Sequence, residues 1–150
     1  MKKIFLSAGA LFLTISCESI LPNPSIKTAD AFLKEWQING INAASRMVSP
    51  RFREVGFLGD YGIHGPQAFL KQYKSDSEFV VIKYDMSKAF AHTSKGIYSD
   101  NGQEWEEDLV QKISMTYKYK GFSGEWVFKQ DDDSTITINK KDGLVVQVGS

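Results

Sequence analysis

The apolar positions of this chain change their period once, near residue 75. Ahead of it, Ala29, Phe32, Leu33, Trp36, Gly40, Ala43, Ala44 and Met47 recur at steps of three and four, the stripe of an amphipathic helix. Thr28 is placed to cap that helix, with Asp30 in the first turn, where the helix dipole favours a negative charge. Asn39-Gly40 interrupts the stripe, Asn42 caps a second short helix to Val48, and Ser49-Pro50 ends it. Arg51 to Leu58 reads as a first strand and Asp60 to Gly65 as a loop. Pro66 then opens a third helix at the position proline tolerates best, with Ala68, Phe69 and Tyr73 as its core face.

Beyond Ser75 the period is two. Val80, Ile82, Tyr84 and Met86 alternate with Lys83 and Asp85, and Ile113, Met115, Tyr117 and Tyr119 alternate with Lys112, Ser114, Thr116, Lys118 and Lys120. Trp126 and Phe128, then Ile136 and Ile138, then Leu144, Val146 and Val148 continue the pattern, and Asp142-Gly143 marks a tight hairpin before the last strand. Half-buried strands of an antiparallel sheet alternate in this way. Helices first and strands afterwards predict an α+β fold, with the N-terminal helices packed on a curved antiparallel sheet.

The N-terminus breaks both periods. Met1-Lys2-Lys3 is cationic, Ile4 to Ile15 is apolar, and Ser16-Cys17 follows at once. A cationic head with an apolar run of about 7–15 residues marks a secretory signal, whereas a membrane span needs about 20. Residues 18–27, with Pro22 and Pro24, read as an extended tether. The expected organisation is a signal at 1–16, Cys17 and the tether at 17–27, and one folded domain at 28–150.

Composition agrees with a single domain and narrows its chemistry. The chain has 150 residues, 42% of them apolar, and balances 18 basic against 18 acidic groups. That gives no electrostatic reason to expect nucleic acid as a partner, and a single cysteine excludes a disulfide framework or a Cys-based zinc cluster. Loss of residues 1–16 would remove Lys2 and Lys3 and leave the domain slightly acidic.

Leu13-Thr14-Ile15-Ser16-Cys17 resembles the lipobox of bacterial lipoproteins, with Thr14 where the family usually has leucine. The resemblance implies a diacylglyceryl thioether on Cys17, an acyl group such as palmitate on its amine, and a membrane partner reached through the lipid. It places the domain in the cell envelope. Glu18, where aspartate often retains such proteins at the inner membrane, points to the outer membrane if there are two. The alternative is an ordinary secreted protein with a spare thiol.

Ala31-Phe32-Leu33-x-x-Trp36-x-x-Asn39-Gly40, Ser49-Pro50-Arg51-Phe52, His64-Gly65-Pro66-Gln67-Ala68-Phe69-Leu70 and the closing Thr137 to Val145 segment carry a second likeness. Together they resemble the nuclear transport factor 2-like superfamily and its polyketide cyclase (SnoaL)-like branch, over residues 28–148. Where that family often has Gly-Asp opening its second helix, this chain has Gly40-Ile41-Asn42. The resemblance implies a cone-shaped α+β roll whose mouth serves as an active site, a ligand pocket or a protein-binding face. It also implies a homodimer through the sheet as one mode of assembly.

Enzymes of that kind use Asp, His and Tyr in an apolar pocket. Tyr61 and His64, with Asp60 nearby, are the acid–base candidates here, and Trp36, Tyr84, Met115, Tyr117 and Trp126 are the candidates to line a pocket with them. The inward strand positions carry no Asp, Glu or His. His92 lies beside Ser94-Lys95-Gly96, which reads as a loop, and shares no ligand spacing with His64, so neither a metal nor another cofactor is expected. Asp131-Asp132-Asp133 reads as a solvated turn without the glycine and glutamate of a calcium loop, and Glu104-Trp105-Glu106-Glu107-Asp108 as a wet acidic edge or loop. Three readings stay open: a non-catalytic module binding a small apolar ligand or a protein, a cyclase, isomerase or dehydratase using His64 and Tyr61, and a structural envelope dimer.

Overall fold

The computed structural model describes residues 23–53, 64–74 and 77–149. The signal at 1–16, Cys17, Asp60, Tyr61 and positions 54–58 of the expected first strand lie outside them. Helix α1 spans Pro24–Asn39 and starts five residues earlier than the Thr28 cap predicts. The side-chain oxygen of Asn23 accepts the Ser25 and Ile26 N–H groups at 2.8 and 3.3 Å, and Pro24 takes the first helical position. Thr28 is therefore inside the helix, its hydroxyl donating to the Pro24 carbonyl at 3.0 Å. Asn-Pro was an ambiguous signal, because proline suits a tether and a helix start equally well.

Gly40 (φ +91°) ends α1, and α2 follows at Ile41–Ala44 with Asn42 inside it, then a 3₁₀ turn to Met47. Val48 then joins Val145 in a parallel bridge, and Arg53 bridges His64. Helix α3 spans Pro66–Lys74, as its proline predicts.

The sheet comprises β1 (Glu78–Asp85), β2 (Phe90–Ile97), β3 (Glu104–Gly121), β4 (Gly124–Asn139) and β5 (Val145–Gly149). All pairings are antiparallel, in the order β1-β3-β4-β5, with β2 also paired to β3. Because β4 follows one side of β3, β1 and β2 share the other side end to end. The α+β architecture, with helices packed on an antiparallel sheet, is as the periodicity predicts.

Irregularities in the ladders change which residues face the core. The β1 register shifts between Val81 and Lys83, so Phe79, Val81 and Tyr84 pack inward and Ile82, predicted inward, is exposed. Lys112 (φ +63°) bulges β3, so the inward set runs Asp108, Val110, Ile113, Met115, Tyr117. Asp131 to Asp133 does not form a turn between two strands. It is a bulge inside β4 in which Asp132 (φ +58°) accepts from Ser114 at 3.0 Å and pairs with Lys88 at 3.1 Å. Ser94 to Gly96 belongs to β2 and the acidic run to β3, where Glu107 and Asp108 are buried.

The core is aromatic. Trp36 lies 5.2 Å from Phe69, 5.0 Å from Tyr73 and 5.9 Å from Tyr117 between ring centroids. Edge-to-face and tilted geometries dominate, as ring quadrupoles prefer. The indole N–H of Trp36 donates to the Phe79 carbonyl at 3.2 Å and ties α1 to β1.

Candidate functional site

A cleft lies not between helices and sheet but at the end of the sheet where β2 turns into β3. It measures about 840 Å³ and is bounded by the Pro50–Arg53 run, His64 and the strand ends around Tyr98 and Trp105. One wall forms because the Tyr98 N–H donates to the Gln103 carbonyl at 2.8 Å and closes the β2–β3 turn. Gly96 is directly opposite Trp105, and a Cβ on it would lie 2.3 Å from the indole ring, so only glycine lets Trp105 lie across β2. The other wall is pinned by the Arg53 N–H donating to the Val146 carbonyl at 2.8 Å.

Two arginines give the cleft its polarity. Arg53 forms a two-pronged pair with Glu107 at 3.0 and 3.1 Å and also donates to Gln147 at 3.3 Å. Arg51 does the same to Asp100 at 3.2 and 3.3 Å, while its guanidinium carbon sits 3.6 Å from the Tyr98 ring centre. A guanidinium carries five N–H donors, so both retain donors beyond these bonds. The Tyr98 hydroxyl is buried with no hydrogen-bond partner among the described residues. The N–H groups each guanidinium has left can hold a polar or anionic group by single hydrogen bonds beside Asp100 and Glu107, with an apolar body against Trp105, Ile97 and Tyr98.

A second polar cluster lies at the same sheet end, on the helix side. The Asp108 carboxylate, buried on the inner face, accepts from the hydroxyls of Thr93 and Ser25, the latter at 2.7 Å, and Lys140 approaches to 4.0 Å. A hollow of about 250 Å³ opens beside it under the start of α1.

The expected site residues do not converge. His64 lines the cleft. Trp36, Met115 and Tyr117 are packed in the core, where the Tyr117 hydroxyl donates to the Met115 sulfur at 3.2 Å and burial pushes the Tyr117 pKa up. Tyr84 borders a separate depression of about 180 Å³; burial first and then Asp30 push its phenol up to about 12. Trp126 is 47% exposed near the far end of β4, stacked 5.4 Å from Tyr119. His92 is exposed on β2, and no group of metal-binding side chains forms among the described residues.

Sequence reasoning missed Arg51, Arg53, Glu107 and Asp108 as site residues, and met Trp105 only as a contact residue within an acidic run read as a wet edge or loop. That Gly96 meets Trp105 gave no signal until β2 and β3 were paired. Asp108 was hidden by the β3 bulge, whose one trace was the three-residue step from Val110 to Ile113.

No family model and no curated protein matches this chain. Among solved structures, an LEH-like epoxide hydrolase of M. tuberculosis is similar to it at 16% identity, with a TM-score of 0.41, over 83% of this chain and 79% of that one. A likeness that loose carries no argument about activity; the α+β architecture rests on the helices and strands themselves.

Proposed function

We propose that this chain is an exported, lipid-anchored domain of the nuclear transport factor 2-like kind, and that it binds a small organic anion with an apolar body without transforming it. The observation that carries the reading is the open cleft in which Arg51 and Arg53 border Trp105, Tyr98 and Ile97. The filled aromatic interior argues in the same direction, because Trp36, Met115 and Tyr117 are occupied with each other and with α1 and α3. Anchoring at Cys17 rests on the sequence pattern, Ser16-Cys17 directly after the apolar run. Asn23 caps α1, so five residues separate it from Cys17, a reach of at most about 20 Å. Ser25 bonds Asp108, the neighbour of Glu107, so the start of α1 and the cleft share one end of the sheet.

The competing reading is acid–base catalysis by His64 and Tyr61, favoured by His64 lining the same cleft. An anionic naphthalene dye, anilinonaphthalene sulfonate, tests the binding reading through its fluorescence. The full chain should bind it, and Arg51→Ala and Trp105→Ala should weaken binding about tenfold each, with Trp126→Ala unaffected. Binding that tracks Trp126 instead, or ignores all three, refutes it.

A further inference from the structure

β4 is twice covered along part of its length and once covered along the rest. β5 pairs only with Thr135 to Ile138, so among the described residues the β4 edge from Gly124 to Asp133 has no neighbouring strand. Such edges are usually blunted by proline, charge, a bulge, shortness or a cover; the Asp132 bulge and its flanking carboxylates blunt this one at positions 131–133 and leave Gly124 to Gln130 for pairing. This one has no proline, and Trp126, Val127 and Phe128 are 47%, 63% and 47% exposed.

The direction of its backbone groups follows from Trp36. Its indole holds the Phe79 carbonyl, which therefore points away from β3. Phe79 pairs with Tyr119, so Tyr119 turns its own N–H and C=O to Trp126 on β4. Alternation then directs the backbone groups of Glu125, Val127 and Lys129 to the open edge.

We propose that a second copy of this chain pairs with this edge, antiparallel, with Val127 opposite the partner's Val127. In that register Glu125 faces the partner's Lys129 and Trp126 faces the partner's Phe128, each twice about the two-fold axis. The aromatic ledge of Phe79, Tyr119, Trp126 and Phe128, with ring centres 5.1 to 6.2 Å apart, then continues across the axis. Neighbouring registers are worse: centring on Trp126 sets Glu125 opposite the partner's Val127 and Lys129 opposite the partner's Ser123, which loses both charge pairs. Centring on Phe128 sets Glu125 against the partner's Asp131, and centring on Glu125 or Lys129 puts like charges on the axis. The proposed register also fits sterically. The partner's Phe122–Ser123 turn falls opposite positions 131–132, short of Thr135, where β5 begins. This pairing is edge to edge, unlike a dimer through the sheet face, and stands apart from the ligand reading.

Sedimentation of the full chain in density-matched detergent tests it, with circular dichroism and melting confirming that each variant folds. The wild type should show a monomer–dimer equilibrium. Glu125→Lys and Lys129→Glu should each weaken it about tenfold, since each sets like charges together twice. Mixing those two variants should restore dimers of one copy of each, because every cross-edge contact is again between opposite charges. Val127→Pro removes an N–H that bonds nothing in the isolated chain, and should leave a folded monomer. A wild type that stays monomeric to roughly 100 µM overturns the proposal, since a specific interface of this length should associate below that. A dimer indifferent to the charge changes and to Val127→Pro, or charge variants that mixing fails to rescue, overturns it equally.

Discussion

Removing the two partners of the Arg53–Glu107 pair one at a time should have unequal costs. The Arg53 side chain is 42% exposed and that of Glu107 only 7%. Arg53→Met leaves a nearly buried carboxylate without its two-pronged donor, a loss of about 3 kcal/mol by the behaviour of broken buried pairs. Glu107→Gln leaves a half-exposed guanidinium that water can solvate, and the amide still accepts one of its N–H groups, so about 1 kcal/mol is expected. Combining Arg53→Met with Glu107→Leu removes both charges and should recover most of the larger loss, to within about 1 kcal/mol of wild type. For a chain of 150 residues these become melting-temperature drops of roughly 6–12 °C, 2–4 °C and 2–4 °C. Denaturant melts at pH 7 in low and high salt measure all three. If Arg53→Met costs no more than Glu107→Gln, or if salt abolishes the difference, the pair is solvated and the burial argument fails.

Three further outcomes are expected. Trp36→Ala removes the ring that joins α1, α3 and the sheet and frees the Phe79 carbonyl, so unfolding free energy should fall by about 4 kcal/mol, whereas Trp36→Phe should cost less than half of that; similar costs for both would show a loosely packed core. The phenols of Tyr73, Tyr84 and Tyr117 are all pushed up, chiefly by burial, with Tyr84 at about 12. Groups whose folded pKa values are raised stabilise fully below pH 10, and that stability drains as pH rises from about 10 through 12; a flat urea midpoint across that window would contradict it, and Tyr84→Phe should flatten it in part. Cys17→Ser should abolish partitioning into the detergent phase and leave the precursor uncleaved; unchanged partitioning would refute the anchor.

The sequence was most legible where local chemistry acts alone. Pro66 opening α3, the Asp142-Gly143 hairpin and the helical stripe through Phe32, Leu33 and Trp36 all depend on neighbours a few positions away. Legibility failed at the bulges. Ile82, Lys112 and Asp132 each mark a place where a ladder shifts, and a shift of one residue exchanges the two faces of everything beyond it. Asp108 was hidden for that reason, and the acidic run looked wet because its charges are written in the sequence while Arg53, Thr93 and Ser25 lie far from it along the chain.

The helices-then-strands order, and with it the α+β class, was determined by periodicity alone, because burial of one face imposes a repeat that each element carries in itself. The N-terminal leader pattern is equally a property of consecutive residues. The cleft was decided by tertiary structure only. It needs Gly96 to meet Trp105, Arg53 to reach Glu107 and Arg51 to lie on Tyr98, pairs separated by 9 to 54 positions. The open edge of β4 among the described residues likewise follows from β5 pairing with Thr135 to Ile138, which no residue of β4 records. Side-chain partners across a sheet are set by register, and register is a property of the assembled strands.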